Sequence, residues 1–342
     1  MLKPAAQPVA EWRDVDARIL SEEVFAAYRP AVLRGLVSDW PAVRSALSDP
    51  ADFVRYLAAF DNGHPVDAIL MPPEARGRIA YNAAMDGFNF VRNRLPVSAI
   101  LEQLSRYAQF GEPPAIAAQS ALIADCLPGF AAENRLPLLD SAVAPRIWIG
   151  NRVTVPAHFD ESQNIACVVA GKRRFTLFPP EQVANLYVGP LDFAPTGAAM
   201  SLAPLAAPDF EHFPKSRDAL AAARVADLGP GDAIYIPTLW WHHVESLDRT
   251  LNVLVNFWWN GALGAVGRTA SGMDALLHAL LNIRPMPPEL RAGWASLFDH
   301  YVFGASKETL SHIPEHRRGV LSTLTPEAAQ RMRDFLIARL QR

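Results

Sequence analysis

From about residue 145 the chain becomes a series of short apolar runs: "RIWIGN", "IACVVAG", "RRFTLFPP", "AIYIP" and "LNVLVNFWW". They are separated by Gly, Pro and Asn, and no helical pattern lies between them. Runs of this length, rich in β-branched and aromatic residues and joined without crossover helices, point to an antiparallel sandwich or barrel. The expected fold class is therefore mainly β with flanking helices. Between 188 and 230 the pattern is interrupted by a stretch holding Pro190, Pro195, Pro204, Pro208, Pro214 and Pro230. An insertion of that length inside a compact domain often lines or covers a site.

The flanks read differently. Residues 1–115 form a mixed N-terminal elaboration. "AVLRGLV" is a buried strand that ends in a turn at Ser38-Asp39. "DPADFVRYLAAF" is a helix capped by Asp49 with Pro50 in its first turn, and "PVSAILEQLSRY" is a second amphipathic helix. Residues 116–262 hold the β core with its insertion at about 188–230. Residues 263–342 turn helical, with Leu290, Trp294, Leu297, Phe298 and Tyr301 on one stripe and a Thr325 cap before Pro326. These helices are expected to bury a face, by default against their own β core.

Composition narrows the class of function. With 342 residues, half of them apolar, the chain can bury a substantial core. A formal net charge of -3 lacks the basic excess of a nucleic-acid binder, so direct nucleic-acid binding is not expected. Two cysteines outside any Cys-x-x-Cys pair suggest neither a disulfide framework nor a thiolate zinc site, and fit a reducing cytoplasm. The N-terminus has no apolar leader segment, and no stretch approaches the ~20 apolar residues of a membrane span. The expectation is a soluble cytoplasmic protein.

Two stretches carry chemistry. In "VPAHFDESQN", strand alternation would send His158 and Asp160 to one side and Phe159 to the other. In "GDAIYIPTLWWHHVESL", His242 and His243 follow two tryptophans at the end of another apolar run. One of these histidines would complete two imidazoles and a carboxylate, a triad that leaves one face of an octahedral ion open and suits non-haem Fe(II). Such iron commonly works with a 2-oxoacid, whose remote carboxylate needs a cation. Arg173, one short hairpin beyond the His-x-Asp strand, alternates inward with Phe175 and Leu177 and offers a bidentate fork. An inward arginine is costly unless paired, which favours a bound anion. The bland alternative leaves Arg173 facing water.

Taken in order, "RPAVLRGLVSDWPA", "VPAHFDESQN", "GKRRFTLFPPEQ", "GDAIYIPTLWWHHVES" and "VNFWW" closely resemble the JmjC and cupin-like branch of 2-oxoglutarate-dependent oxygenases, which includes the asparaginyl hydroxylase of hypoxia-inducible factor. The resemblance covers roughly residues 25–260. It implies a double-stranded β-helix (jelly-roll) core, with His158, Asp160 and His242 as iron ligands and His243 left to a supporting role. It implies 2-oxoglutarate as cosubstrate, with Arg173 where many relatives carry a lysine for its C5 carboxylate. Asn164 and Asn256 match positions near cosubstrate and iron, and Trp258 matches an aromatic beside the site. Homodimerisation through the C-terminal helices is a further implication.

The chain departs from the hypoxia-factor enzyme at two hydroxyl positions, where it carries Ala117 and Val155, so Arg173 has fewer helpers. The implied reaction is oxidative decarboxylation coupled to hydroxylation, releasing succinate and CO2. The substrate would be a protein or peptide side chain or a small molecule. Two other readings stay open: a non-redox cupin holding zinc or manganese, such as an isomerase, and a non-catalytic binding protein of the same fold.

Overall fold

The computed structural model describes residues 6–259, 271–306 and 308–341. The chain divides into two units, Met1–Trp259 and Asn260–Arg342; the expected boundary at 262–263 lies outside the described residues. The first unit begins with strands β1 (Gln7–Pro8), β2 (Ala10–Trp12), β3 (Ala31–Leu33), β4 (Val66–Met71), β5 (Val91–Leu95) and β6 (Ala115–Leu122). It continues with β7 (Pro145–Gly150), β8 (Thr154–His158), β9 (Gln163–Ala170), β10 (Arg173–Phe178), β11 (Arg224–Leu228), β12 (Ala233–Ile236), β13 (Trp241–Ser246) and β14 (Asn252–Trp259).

These strands form two sheets, ordered β1-β11-β10-β13-β8 and β2-β3-β12-β9-β14-β7-β6-β4-β5. The last eight strands, β7 to β14, split evenly between the sheets, and all their mutual pairings are antiparallel. This is the expected jelly-roll core. Strand β9 shows why it holds together. Ala166 and Val168 face the opposite sheet and pack with Phe175, Leu177, Val244 and Leu254. Ile165, Cys167 and Val169 face the other way, among Phe53, Leu57, Ile100 and Leu101 of the N-terminal helices. Both faces are covered, so β9 is buried from end to end and its sequence reads as a continuous apolar run.

The N-terminal helices occur as expected at Pro50–Ala58, capped by the Asp49 carboxylate, and at Val97–Tyr107. The strand expected over 31–37 stops at Leu33. Arg34 leaves the ladder to pair with Glu11 and with Asp232 at 2.7 Å, and Gly35 takes a left-handed turn at φ 71°. The expected insertion over 188–230 also needs correction. Its end, Arg224–Leu228, is core strand β11, whose polar Arg224 and Asp227 hid it in the sequence.

In the second unit, helices span Gly272–Asn282, Pro288–Phe298 and Pro326–Leu340, the last capped by the Thr325 hydroxyl as expected. Of the expected apolar stripe, Leu290, Trp294, Leu297 and Tyr301 are exposed and Phe298 is half-buried. Among the described residues, no helix is long and apolar enough to cross a membrane. Cys126 and Cys167 are both free and buried.

Candidate metal centre

Strands β8 and β13 run antiparallel at one end of the jelly roll, with His158 and His242 as direct partners. The register slips between this pair and Val244↔Val155, because β8 carries one extra residue across Pro156-Ala157. Pro156 has no N–H for the ladder, which favours such a bulge. The bulge turns His158 to the same side as Val155, and both line one cavity.

Asp160 lies beyond the end of β8, not on the strand as the alternation argument supposed. A backbone bond from the Leu239 N–H to the Asp160 carbonyl, 3.0 Å, anchors it beside the turn that leads into β13. Leu239 holds a left-handed φ of 68° there, a conformation that costs a non-glycine residue about 1–2 kcal/mol. Phe159 points away and packs edge-on against Trp241 at 4.9 Å, so the expected division of sides survives.

The ligand atoms of His158, Asp160 and His242 all lie within 4.8 Å of one another. His158 Nδ1 donates to the Pro156 carbonyl at 2.9 Å and His242 Nδ1 to the Trp240 carbonyl at 3.1 Å. A carbonyl can only accept, so each Nδ1 carries the proton and each Nε2 keeps its lone pair for a metal. His242 Nε2 stands 3.7 Å from Asp160 Oδ2. Burial, reinforced by the neighbouring His158, lowers the His242 pKa to about 4 against the opposing pull of Asp160, and keeps its imidazole neutral. Two neutral imidazoles and a carboxylate on one side of a cavity suit a divalent ion with open positions. His243 alternates away, is buried, and sits 3.7 Å from the Glu245 carboxylate.

The cavity beside the triad encloses about 240 Å³. Its walls include Val155, Phe175, Val244 and Leu254, together with Asn164, Arg173, Asn256 and Trp258. All seven residues singled out from the sequence thus meet here. The two-residue turn Gly171-Lys172, with Gly171 at φ 73°, starts β10 at Arg173. Arg174 points outward into a bidentate pair with Asp227, while Arg173 points inward and is only 8% exposed. Its Nε has no partner among the described residues, and burial lowers its pKa to about 10. Asn256 Nδ2 donates to Asn164 Oδ1 at 2.9 Å, and Asn256 Oδ1 is buried without a partner among the described residues.

Four polar or aromatic lining residues, Gln119, Ser120, Trp148 and Thr196, are not assigned to the site by the sequence. Gln119 and Ser120 enter through a register shift in β6 between Ala118 and Ala121, with Ser120 at φ 48°. Trp148 comes from β7 and Thr196 from the proline-rich stretch, and Trp148 Nε1, Thr196 Oγ1 and Trp258 Nε1 are buried without partners among the described residues. The polar pair inside the apolar run "IAAQSAL" was the one available signal. Such a concentration of unbonded polar atoms in one cavity is what a polar ligand would satisfy.

Comparison with known proteins agrees with this geometry. The chain is 27% identical over 195 residues to the lysine-specific demethylase JMJ31 of Arabidopsis thaliana, covering 52% of this chain and 34% of that protein. It is 29% identical over 266 residues to Jumonji C domain-containing protein 5 of Drosophila melanogaster, covering 72% of this chain and 59% of that one. It is 26% identical over 262 residues to the human bifunctional peptidase and (3S)-lysyl hydroxylase JMJD7, covering 68% and 77%. Among other relatives, such as the human and bovine HSPB1-associated protein 1, the match spans 30% and 40% of the relative's length. Residues 17–263 match the cupin-like domain, and the chain belongs to that family, alongside JmjC-domain proteins.

Proposed function

We propose that this chain is an Fe(II)- and 2-oxoglutarate-dependent hydroxylase, with His158, Asp160 and His242 holding the metal and Arg173 holding the cosubstrate's remote carboxylate. The observation that carries the reading is Arg173, a buried guanidinium that forms no ion pair among the described residues and whose Nε has no partner there, in the same cavity as the triad. A buried charge persists where a partner compensates it, and a guanidinium fork matches a carboxylate bidentately. The isomerase-like and binding-protein alternatives account for the triad and for the fold, and give Arg173 no task.

When bound, Fe(II) and 2-oxoglutarate supply the division of dioxygen between succinate, formed as CO2 leaves, and a C–H bond of the substrate. The protein's part is positional. The two Nδ1–H bonds to carbonyls fix the imidazole rings, and the Asn256–Asn164 bond fixes two amides on the cavity wall. Val155, Phe175, Val244 and Leu254 keep water from the guanidinium and strengthen its hold on an anion. Where the hypoxia-factor enzyme carries hydroxyls, Ala117 and Val155 leave Arg173 to bind with less help, and Trp258 forms part of the wall.

The substrate we propose is a protein or peptide side chain, with a small molecule as the second reading. In support, Thr196 and Ala198 of the proline-rich stretch line the cavity, so that stretch can form one wall of a longer groove. We also propose a homodimer through the C-terminal helices, supported by their exposed apolar stripe. Anaerobic titration with Fe(II) and then 2-oxoglutarate tests the central reading: the chelate gives a visible charge-transfer band. Its absence despite bound iron would return the lead to the non-redox alternatives.

A further inference from the structure

A second cavity, of about 430 Å³, shares no lining residue with the metal cavity and sets three arginines, Arg76, Arg152 and Arg249, against one acid, Glu112. Among the described residues none of these four side chains forms an ion pair. The chain as a whole carries a formal net charge of -3, so an excess of positive charge in one recess is a local reversal of sign.

The arginines come from three separate segments that the backbone holds together. Gly77, at φ 73°, runs against the turn that carries Arg152: a Cβ on Gly77 would stand 2.0 Å from the Arg152 carbonyl oxygen. The Gly77 carbonyl accepts from the Thr154 N–H at 2.9 Å. Buried Asn151 ties the same turn to the facing wall, its side chain accepting from the Ile116 N–H at 3.0 Å and donating to the Pro114 carbonyl at 2.9 Å. Arg249 reaches that wall by donating to the Gly111 carbonyl at 3.4 Å. The recess lies toward the opposite end of β13 from the metal. There the Ser246 N–H bonds the Val153 carbonyl, next to Arg152, about 13 Å along the strand from His242.

The metal site makes no use of these side chains, and guanidiniums gathered around one recess repel one another until an anion sits between them. A single carboxylate fills one guanidinium fork, whereas linked phosphoryl groups offer oxygens to several forks at once. A concave space of this volume suits a small ligand rather than a flat protein face. We infer that the recess binds a small ligand carrying a diphosphate or triphosphate, gripped by Arg76, Arg152 and Arg249. That role stands whether or not the hydroxylase reading does.

Calorimetric titration of the metal-free protein with pyrophosphate and tripolyphosphate tests it. Both should bind, tripolyphosphate more tightly. Arg76→Gln, Arg152→Gln and Arg249→Gln should each raise the tripolyphosphate Kd about ten-fold. Glu112→Gln should lower it, a gain that a damaged fold does not produce. All four side chains are exposed, so the substitutions leave the fold intact. Arg173→Ala should leave the Kd unchanged, because Arg173 lines the other cavity. No binding at millimolar probe would overturn the inference, as would a loss confined to Arg173→Ala. Tighter binding of a charge-matched oligonucleotide or glutamate peptide than of tripolyphosphate would overturn it too, by assigning the recess to a macromolecule.

Discussion

Strand Gln163–Ala170 is buried along its whole length, whereas helix Pro288–Phe298 leaves Leu290, Trp294 and Leu297 at 57%, 42% and 47% exposure. Both segments carry several large apolar residues, and these meet opposite fates within one chain. In the sheet unit every inward row finds a covering element: the opposite sheet on one side, the N-terminal helices on the other. In the C-terminal unit Ala329 alone is buried among the described residues. The difference teaches that the jelly roll is covered by elements of its own unit, whereas the stripe on the C-terminal helices is exposed and is the surface on which the proposed homodimer would form. Inside the sheet unit the exception is the cavity, where several buried polar atoms have no partner among the described residues.

The sharpest cut falls on the metal. His158→Ala or Asp160→Ala should abolish iron binding and turnover, measured as iron content and succinate release, while the sedimentation coefficient of the protein stays unchanged. A shift in oligomeric state would mean that the two regions are coupled after all. Next in size is Arg173→Ala, which removes a buried charged partner of an anion, an effect of about 2–5 kcal/mol. The 2-oxoglutarate dissociation constant should rise roughly 30- to 4,000-fold, with Arg173→Lys between the two because a point charge replaces a fork. Unaltered cosubstrate affinity in Arg173→Ala would break the assignment.

How much of this was legible beforehand follows from the physics of each element. Strands β9, β10 and β14 announce themselves because burial on one or both faces demands apolar residues in series. Strand β11 did not, since Arg224 and Asp227 break the run. The triad was legible as two motifs far apart in sequence, but the alternation argument placed Asp160 on a strand that ends at His158. The β8 bulge at Pro156 and the Leu239–Asp160 tether bring the groups together instead. Trp148 and Thr196 reach the cavity through sheet register and a loop path, neither of which leaves a local pattern, and Ser120 enters at a register shift marked only by the polar pair in its apolar run. The stripe on Pro288–Phe298 was readable as apolar, but its periodicity does not say which surface covers it.

Core truncation puts numbers on the contrast. Leu177 is buried between the sheets with Phe175 and Val244, and Leu177→Ala should cost about 2–5 kcal/mol in urea unfolding. At the C-terminal stripe, the double variant Trp294→Asp and Leu297→Asp should convert a dimer into a monomer in sedimentation velocity while leaving the Fe(II)–2-oxoglutarate band intact. A dimer that persists would place the interface elsewhere.

The smallest effect is the most discriminating between a helix that lacks a partner and one that simply tolerates water. Leu290→Ala removes an exposed side chain, so at concentrations where the chain is monomeric its unfolding free energy should stay within about 0.5 kcal/mol of wild type. If a second copy covers the stripe, the same substitution should destabilise the protein progressively as concentration rises, because association adds its free energy to the folded state by mass action. Urea midpoints measured across a hundred-fold range of protein concentration separate the cases. A concentration-independent midpoint for both proteins would show that the exposed stripe has no self-partner, and the contrast between sheet and helices would then require a different protein to complete it.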